Sequence, residues 1–385
     1  MKIDQFRMER TQCLYENEVE FNLSESGVHP LSIADILPDE GERAEFEAAR
    51  ISYPHSTGRE RLRRSIAAFH GLTDPGAVMV TNGGSEANFT TLWSLVEEDH
   101  RVAFMIPNYL QGFGLGKAWA NNVDCYELVM RQNKNGSFEW RLDLDSLEKA
   151  VKSDTRVIVV TNPNNPTGSV LNESEMEAVI AAADRVGAWL VIDEIYRGAE
   201  VSGLMTPTFV GRYDKLVITG GLSKAFGLPG LRTGWIVAPP EQISQFCERH
   251  DYLTLTPSFI SDYLADVVMA EDRRESILER TRSIIRRNLE PLEEWIHSHR
   301  NIFDYARPEA GAICTVRYDL PIDSVELFER FLEQQSVLIT PGEHFGIGKF
   351  MRIGFGYDLD KTMQGLARMD IVLADLKSQK TSSAA

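Results

Sequence analysis

The sequence of 385 residues is poor in cysteine, and its cysteines are not spaced to hold a metal or a disulfide framework. No CxxC pair occurs, and the eight histidines form no HExxH or similar cluster. We therefore predict no metal site and expect reduced structural thiols. The four cysteines are Cys13, Cys125, Cys247 and Cys314.

Long hydrophobic runs and an excess of positive charge are also missing. No stretch approaches the roughly 20 apolar residues that span a bilayer. The start, MKIDQFRMER, lacks the apolar core of a signal peptide, so we expect a cytoplasmic protein. The formal net charge is −17, which repels phosphate backbones and anionic lipid. Neither nucleic acid nor a membrane is an expected partner.

What the sequence does contain is a regular alternation of short apolar runs and amphipathic helical stretches from about residue 75 to 240. Continuous apolar runs are typical of strands buried on both faces. We predict an α/β fold: a three-layer large domain, residues 51–299, built on a mostly parallel sheet. The predicted strands are Ala77–Thr81, Val102–Pro107, Val123–Val129, Arg156–Thr161, Trp189–Asp193, Leu216–Thr219 and Gly234–Val237.

The pattern changes after a long, charged helical stretch at about Arg273–His299. Residues 300–377 then predict a compact α+β unit, with which residues 1–50 are expected to form a second, smaller domain. Residues 378–385 are expected to be a disordered tail. The strand, helix, strand, strand and helix predicted in this unit are Ile313–Tyr318, Ser324–Gln334, Val337–Thr340, Phe350–Phe355 and Asp360–Lys377.

The segment SKAFGLPGLRTGW contains a lysine between a predicted buried strand and a glycine-rich turn. Lys224 there can condense with an aldehyde if burial and nearby positive charge keep its amine neutral. Arg232 follows after a turn that cannot continue a helix, so it can return to the same site and bind a phosphate. A surface lysine and a salt-bridged arginine are the alternative.

A second segment, TNGGSEANF, follows a predicted strand directly and opens a predicted helix. Free backbone N–H groups and the positive end of the helix favour a phosphate at this position. Gly84, Ser85 and Glu86 would form the cup, with the Ser85 hydroxyl as a further donor. An ordinary helix N-cap is the alternative.

Two more strand ends carry polar residues. Asp193, in VIDEIYRG, ends an otherwise apolar strand, where a carboxylate is costly unless it is paired. A pyridinium N–H would be a natural partner. If such a pyridinium ring also carries a phenolic oxygen, Tyr196 could bind that oxygen, and so could Asn165 in TNPNNPTG. A structural aspartate and a common Asn-Pro turn are the alternatives.

Tyr109 and Arg352 complete the set. Tyr109, in IPNYLQ, lies at the end of a predicted strand and could stack on an aromatic ring or belong to the core. Arg352, in FMRIGFG, lies in an apolar strand, where an unpaired guanidinium is expensive. A substrate α-carboxylate or a structural salt bridge would account for it.

In this order and spacing, these residues resemble the class I and II aminotransferases, fold-type I enzymes that depend on pyridoxal 5′-phosphate (PLP), over nearly the whole chain. The resemblance implies that Lys224 forms the internal aldimine and carries protons, that Asp193 pairs with the ring nitrogen, and that Tyr109 stacks on the ring. Ser85, Ser223 and Arg232 would hold the phosphate. Many relatives have Ser or Thr three positions before the lysine, whereas this chain has Gly221, so one phosphate donor is expected to be missing.

The resemblance also implies a homodimer with shared active sites. Tyr53, in YPHSTGRERLR, matches the tyrosine that the family lends to the phosphate of the neighbouring subunit. Gly27, in NLSESGVHP, matches the segment that lies over the substrate. Arg352 and Asn165 are expected to bind the amino-acid substrate.

Amino-acid transamination through a quinonoid intermediate is the activity that the resemblance implies. The same intermediate would permit elimination, so the fold does not fix the reaction. NLSESGVHP and HDYLTLTPS resemble segments of capreomycidine synthases, PLP-dependent cyclases that act on a hydroxylated arginine. The alternative is therefore an elimination and cyclisation enzyme for a hydroxylated cationic amino acid. Glu25, in the first segment, could meet a cationic side chain or could be a solvated loop carboxylate.

Overall fold

The computed structural model describes residues 3–383 and contains three sheets. The strands are numbered in the order in which they occur along the chain. They are β1 (Phe21–Asn22), β2 (Val78–Thr81), β3 (Arg101–Ile106), β4 (Asn122–Gln132), β5 (Phe138–Leu142), β6 (Thr155–Thr161), β7 (Trp189–Asp193), β8 (Leu216–Gly221), β9 (Gly234–Val237), β10 (Phe303–Tyr305), β11 (Ile313–Tyr318), β12 (Val337–Leu338), β13 (Thr340–Pro341) and β14 (Phe350–Gly354).

Helices connect most of these strands, as the alternating pattern predicts. Several begin with a side chain that accepts hydrogen bonds from the first turn, such as Asn172 and Asp323. The helices are α1 (Arg7–Tyr15), α2 (Ile33–Ile36), α3 (Glu40–Ala48), α4 (Glu60–Phe69), α5 (Gly84–Leu95), α6 (Gln111–Trp119), α7 (Leu144–Ala150), α8 (Glu173–Val186), α9 (Pro240–His250), α10 (Phe259–Val268), α11 (Glu271–Ser298), α12 (Ser324–Gln335) and α13 (Leu359–Ser383).

The large sheet has eight strands in the order β2-β9-β8-β7-β6-β3-β4-β5. Neighbouring strands from β8 to β4 are parallel. Strand β9 runs antiparallel to both of its neighbours, and β5 runs antiparallel to β4. The mostly parallel sheet is confirmed. Strand β5 was not predicted because charged residues interrupt its apolar ones in the sequence FEWRL.

Both faces of this sheet are buried. In β6, Ile158 and Val160 face one hydrophobic core, and Val157 and Val159 face a second. Alternate side chains of a strand point to opposite faces, so a run without polar residues supplies both cores. Helices α5, α6 and α9 cover one face, and α4, α7, α8, α10 and α11 cover the other. The three-layer α/β fold is confirmed.

The C-terminal part forms a four-stranded sheet in the order β10-β11-β14-β13. Strand β1 pairs in parallel with β12, so the start of the chain joins this unit. Helix α3 packs elsewhere: the ring of Phe46 lies 5.3 Å from that of Tyr263, and Glu42 forms an ion pair with Arg273. Residues 1–50 therefore contact both parts of the molecule, and the division into domains at 50 and 299 stays a prediction.

The last helix is longer than the sequence pattern predicted. Helix α13 continues to Ser383, so residues 378–383 of the expected disordered tail are helical, and residues 384 and 385 lie outside the described residues. Within residues 3–383, none of the helices has the length and apolar character needed to cross a membrane.

The direction of the strands determines where functional side chains meet. Strands β3, β6, β7 and β8 are parallel, and β2 runs in the same direction because two antiparallel pairings separate it from β8. Their carboxyl ends therefore lie at one edge of the sheet. Ligands of open α/β sheets bind outside this edge.

Candidate active site

A cavity of about 570 Å³ lies at the carboxyl edge of the large sheet. Segments that follow five strands converge on it, together with the N-terminal helix and the loop after β1. The lining residues are Phe6, Met8, Glu9, Gln12, Glu16, Glu25, Ser26, Gly84, Ser85, Asn88, Tyr109, Gln111, Thr161, Asn165, Asp193, Ile195, Tyr196, Ser223, Lys224, Pro229 and Arg232.

Lys224 lies in the wall of this cavity, three residues after the end of β8. Its Nζ makes no hydrogen bond or ion pair to the part of the chain that the structure describes. Burial lowers the pKa of the Lys224 amine, and the charges of Arg352 and Arg232 lower it further, whereas Glu25 and Glu9 act in the opposite direction. The site therefore favours the neutral, nucleophilic amine that condensation with an aldehyde requires.

Asp193 faces the cavity from the end of β7 and is held in place by a short chain of hydrogen bonds. Asn88 Nδ2 donates to Asp193 Oδ2 at 3.0 Å, and Thr219 Oγ1 donates to Asn88 Oδ1 at 2.6 Å. The backbone N–H of Ile195 donates to the other Asp193 oxygen at 3.0 Å. Burial raises the pKa of the Asp193 carboxyl. A cationic partner would therefore stabilise its ionised form.

Tyr196 and Asn165 reach the same cavity from the segments after β7 and β6. The Tyr196 hydroxyl is buried and has no hydrogen-bond partner within the described residues, and burial raises its pKa to about 12. Asn165 Oδ1 accepts a hydrogen bond of 2.8 Å from Arg352 NH1. An unpaired buried hydroxyl is costly, so a ligand that hydrogen-bonds to it gains affinity.

Arg352 is buried behind Asn165 in strand β14 and does not line the cavity directly. Its NH2 donates to the Ser24 carbonyl oxygen and to Thr340 Oγ1, while its Nε has no partner in the described chain. The ring of Phe345 lies 4.9 Å from its guanidinium carbon. No carboxylate of residues 3–378 pairs with it, so the structural salt bridge considered above does not form.

The residues predicted to form a phosphate cup lie at the start of α5. Gly84 and Ser85 line the cavity, and the first N–H groups of a helix have no partner within the helix. Gly83 has φ = +101°, and a Cβ there would lie 2.5 Å from Arg232 NH2. Glycine at this position therefore lets the Arg232 guanidinium approach the cup. Ser223 lines the cavity as well.

Gly221, at the position where the sequence analysis expected a phosphate donor to be missing, lies at a close approach of two strands. A Cβ at this position would lie 2.8 Å from the Thr233 carbonyl oxygen and 3.1 Å from Cδ1 of Ile195. A larger residue would force β8 and β9 apart. Close packing between these two strands therefore favours glycine at position 221.

Glu86 does not reach the cavity, in contrast to the predicted cup. Its Oε1 accepts hydrogen bonds from the Asn82 N–H and from Thr254 Oγ1, both at 3.1 Å, and lies 2.8 Å from His250 Nε2. Its backbone N–H donates to the Gly83 carbonyl oxygen. Its side chain fixes the turn before α5 from behind, and of the three residues predicted for the cup only Gly84 and Ser85 line the cavity.

Tyr109 lines the cavity from the end of β3, but its hydroxyl is already paired. It donates to Glu9 Oε1 at 2.8 Å, and its ring packs edge-on against Phe6 at 4.9 Å. Burial and the Glu9 charge raise the pKa of Tyr109. The face of the ring remains available to stack on a ligand in the cavity.

The N-terminal helix is the part of the site that the sequence analysis missed. Glu9, Gln12 and Glu16 lie at positions i, i+3 and i+7, which place them on one face, and all three line the cavity. Asn88 was missed too, although it lies one helical turn after Gly84 on α5. In both cases the signal is the spacing of residues along a helix. Such a spacing identifies residues of the site only when the position of the cavity is known.

The loop after β1 closes the cavity on the side of Lys224. A Cβ on Gly27 would lie 3.3 Å from the Ser223 carbonyl oxygen and 3.9 Å from Cδ of Lys224. Glu25, two residues earlier, lines the cavity. The structure thus brings both predicted loop residues to the site.

Tyr53, a second predicted cofactor residue that does not line the cavity, lies on the surface. It is 83% exposed, in a groove that also contains Ile51, Pro257 and Phe259. Asn82, next to the phosphate cup, lines the same groove.

Three neighbouring side chains could together hold a metal ion, whereas the sequence predicts no metal site. In the described part of the chain, Glu97, Asp99 and His100 bring their ligand atoms within 4.8 Å of one another. They lie in the turn between α5 and β3, where the Glu97 N–H donates to His100 Nδ1. Such exposed acidic turns are common without an ion, and the absence of a metal stays a prediction.

Comparison with known proteins gives the same family along most of the chain. Residues 26–368 match the aminotransferase class I and II family. Capreomycidine synthase of Streptomyces vinaceus is 30% identical over 356 residues, covering 90% of this chain and 88% of that enzyme. Aspartate aminotransferases of several organisms also match.

Solved structures agree with these sequence matches. A PLP-dependent aminotransferase from Streptococcus suis superimposes with a TM-score of 0.89 at 26% identity, covering 98% of this chain and 99% of that one. The PLP-dependent cyclase OrfR superimposes with a TM-score of 0.85 at 27% identity, covering 97% and 98%. The chain therefore belongs to the class I and II aminotransferases and is an enzyme that depends on pyridoxal 5′-phosphate.

Proposed function

We propose that this enzyme transfers the amino group of an amino acid to a keto acid, with Lys224 as the residue that holds the cofactor and moves the proton. One observation supports the proposal most strongly. The amine of Lys224, the carboxylate of Asp193 and the unpaired hydroxyl of Tyr196 face a single buried cavity. Enzymes of this family combine these three groups.

The residues of the cavity fit pyridoxal phosphate. Asp193 is positioned by Asn88 to meet the ring nitrogen, and the Tyr196 hydroxyl lacks a protein partner and can bind the phenolic oxygen. The start of α5 and Arg232 provide donors and positive charge for the phosphate. When bound, pyridoxal phosphate supplies an electron-withdrawing ring that stabilises negative charge at the substrate Cα.

The protein residues then act on the substrate in defined ways. Lys224 Nζ takes the proton from the substrate Cα, because burial lowers the pKa of the amine and so favours the neutral form that can accept a proton. Asn165, which lines the cavity, can donate its amide N–H to the substrate α-carboxylate, and Arg352 behind it supplies the positive charge that attracts this carboxylate. The loop at Gly27 covers the Lys224 side of the cavity and excludes water.

The Arg352→Lys variant tests the carboxylate site. Lysine keeps the charge but loses the planar fork of donors, so KM for the amino acid should rise about 10-fold or more. The affinity of this variant for the cofactor should stay unchanged. In the control Arg300→Lys, whose side chain is exposed, both KM and the cofactor affinity should stay unchanged. An unchanged KM in steady-state kinetics would show that Arg352 has only a structural role.

We also propose that the enzyme works as a homodimer in which Tyr53 binds the cofactor phosphate of the partner subunit. Several apolar residues are exposed around the groove that contains Tyr53, which is unusual for a free surface. The groove reaches Asn82, beside the phosphate cup. A second copy of the chain seated here would bring one subunit's Tyr53 towards the other's cup. These exposed side chains are Ile51, Tyr53, Tyr252, Leu255 and Ile260.

The Tyr53→Phe variant tests this shared site. Loss of one hydroxyl that donates to a phosphate should raise the dissociation constant of the cofactor about 10-fold. Tyr252→Phe, on the same exposed surface, is the control. Equilibrium dialysis gives the constants, and light scattering gives the mass of the assembly. A monomer with full activity would rule out the proposal. Cytoplasmic localisation stays a prediction from the sequence.

A second candidate function is elimination followed by cyclisation of a hydroxylated cationic amino acid. The 30% identity with capreomycidine synthase and the presence of Glu25 in the cavity favour it. Incubation with hydroxylated arginine and no keto acid separates the two functions. Repeated turnover to a dehydrated product would indicate the cyclase, whereas a reaction that stops after one equivalent per site would indicate the aminotransferase.

A further inference from the structure

Helix α1 presents an acidic face to the cavity. Glu9, Gln12 and Glu16 line it together with Glu25 from the loop after β1. Three carboxylates thus border a space that also contains the reactive amine of Lys224. The substrate must be anchored by its α-carboxylate, and its reacting Cα must lie near Lys224. The acidic face therefore lies where the side chain of the substrate would extend.

Hydrogen bonds hold this acidic face in position. The Gln12 amide donates to the carbonyl oxygen and to the hydroxyl of Ser24, both at 3.1 Å, which ties α1 to the loop that carries Glu25. Glu9 accepts the hydroxyl hydrogen bond from Tyr109. These contacts hold α1 and the loop that carries Glu25 beside the cavity.

The carboxylates of Glu16 and Glu25 lack partners of their own. Neither makes a hydrogen bond or an ion pair to residues 3–378, although each lies at least partly buried in the cavity wall. Burial raises the pKa of Glu16, and the charges of Glu25 and Glu9 raise it further. Three carboxylates that repel one another are an unfavourable arrangement unless a cation joins them.

The cations already in the site do not balance this charge once the cofactor and an amino acid are bound. In the proposed function, Arg232 serves the phosphate, Arg352 serves the substrate carboxylate and Lys224 takes part in the chemistry. The Tyr196 hydroxyl, which is 1% exposed and lines the same cavity, serves the phenolic oxygen of the cofactor in the proposed function and has no charge that could balance the carboxylates. Glu9, Glu16 and Glu25 are left without a counter-ion.

We infer that Glu9, Glu16 and Glu25 bind the cationic end of the substrate side chain, so that the enzyme selects a basic amino acid. A guanidinium suits three carboxylates best because its donors point outward in one plane. This inference rests on the proposed function and specifies its substrate class. Glu16 is the critical residue to test, since its carboxylate makes no hydrogen bond to the described residues that a substitution would break.

The Glu16→Gln variant tests the inference with matched ligands. Holoenzyme is titrated with arginine and with its neutral isostere citrulline, and dissociation constants are measured by calorimetry. The wild-type enzyme should bind arginine at least about 10-fold more tightly, and Glu16→Gln should remove most of this preference by weakening arginine alone. Glu18→Gln, whose exposed side chain lies just beyond α1, is the control and should keep the preference.

Two other results would overturn the inference. Equal affinity of the wild-type enzyme for arginine and citrulline, repeated with lysine and norleucine, would show that the acidic face selects no cation. An unchanged preference in Glu16→Gln and in Glu16→Gln/Glu25→Gln would assign selection to other residues. In both cases the absorbance of the bound cofactor should still respond to amino acids. If no amino acid changes that absorbance, the proposed function itself fails.

Discussion

Replacement of Lys224 by alanine is expected to lower the rate of amino transfer by about 10³-fold or more. The variant loses both the nucleophile that holds the cofactor and the base that moves the Cα proton, and positioned acid–base groups alone contribute roughly 10²–10⁴-fold. Single-turnover absorbance measurements on the holoenzyme give the rate. Because the site remains otherwise intact, the variant should still bind pyridoxal phosphate non-covalently.

Two controls make this result specific. Lys152→Ala removes an exposed lysine and should leave the rate unchanged. Added methylamine should restore part of the activity of Lys224→Ala, because a small amine can occupy the space of the missing side chain and accept the proton. Wild-type rates in Lys224→Ala would mean that another base performs the reaction.

Asp193→Asn should have the second largest effect. If Asp193 pairs with the ring nitrogen, the amide removes the charge that keeps the ring protonated while preserving size. Loss of one partner of a buried ion pair costs about 3–5 kcal/mol, which corresponds to a fall of roughly 10²–10⁴-fold in rate. The single amide oxygen can accept from Asn88 or from the Ile195 N–H but not from both, so a somewhat lower melting temperature is expected together with the loss of rate.

The absorbance spectrum of the bound cofactor distinguishes this role from a structural one. Asp193→Asn should shift the pH at which the cofactor spectrum changes, whereas Asp145→Asn, on an exposed turn of α7, should not. A variant that unfolds at a lower temperature but retains the wild-type spectrum and rate would place Asp193 among structural residues.

The sequence predicted seven of the eight strands of the large sheet and several of the side chains that line the cavity, because both depend on local patterns. Buried parallel strands leave continuous apolar runs, and polar residues such as Asp193 at their ends stand out against them. The contacts of Glu86 do not support its predicted place in the cup, for a related reason. Position in the glycine-rich segment suggested the cup, but the sequence did not show that His250 and Thr254 bind its carboxylate from behind.

The acidic face of α1 could not be predicted in the same way. Its spacing of glutamates is ordinary for a solvated helix, and only the tertiary structure brings α1 to the ends of strands that lie about 100 to 200 residues later in the chain. Strand β5 was missed because charged residues alternate with apolar ones at the edge of the sheet. Contacts between distant segments decide both features.

The most direct test of the account is reduction of the holoenzyme with borohydride, followed by digestion and mass spectrometry of the peptides. The account predicts a yellow protein that loses its colour on reduction and carries the pyridoxyl group on Lys224, in a peptide that includes Ser223. A label on another lysine, or a purified protein that stays colourless after addition of pyridoxal phosphate, would contradict it.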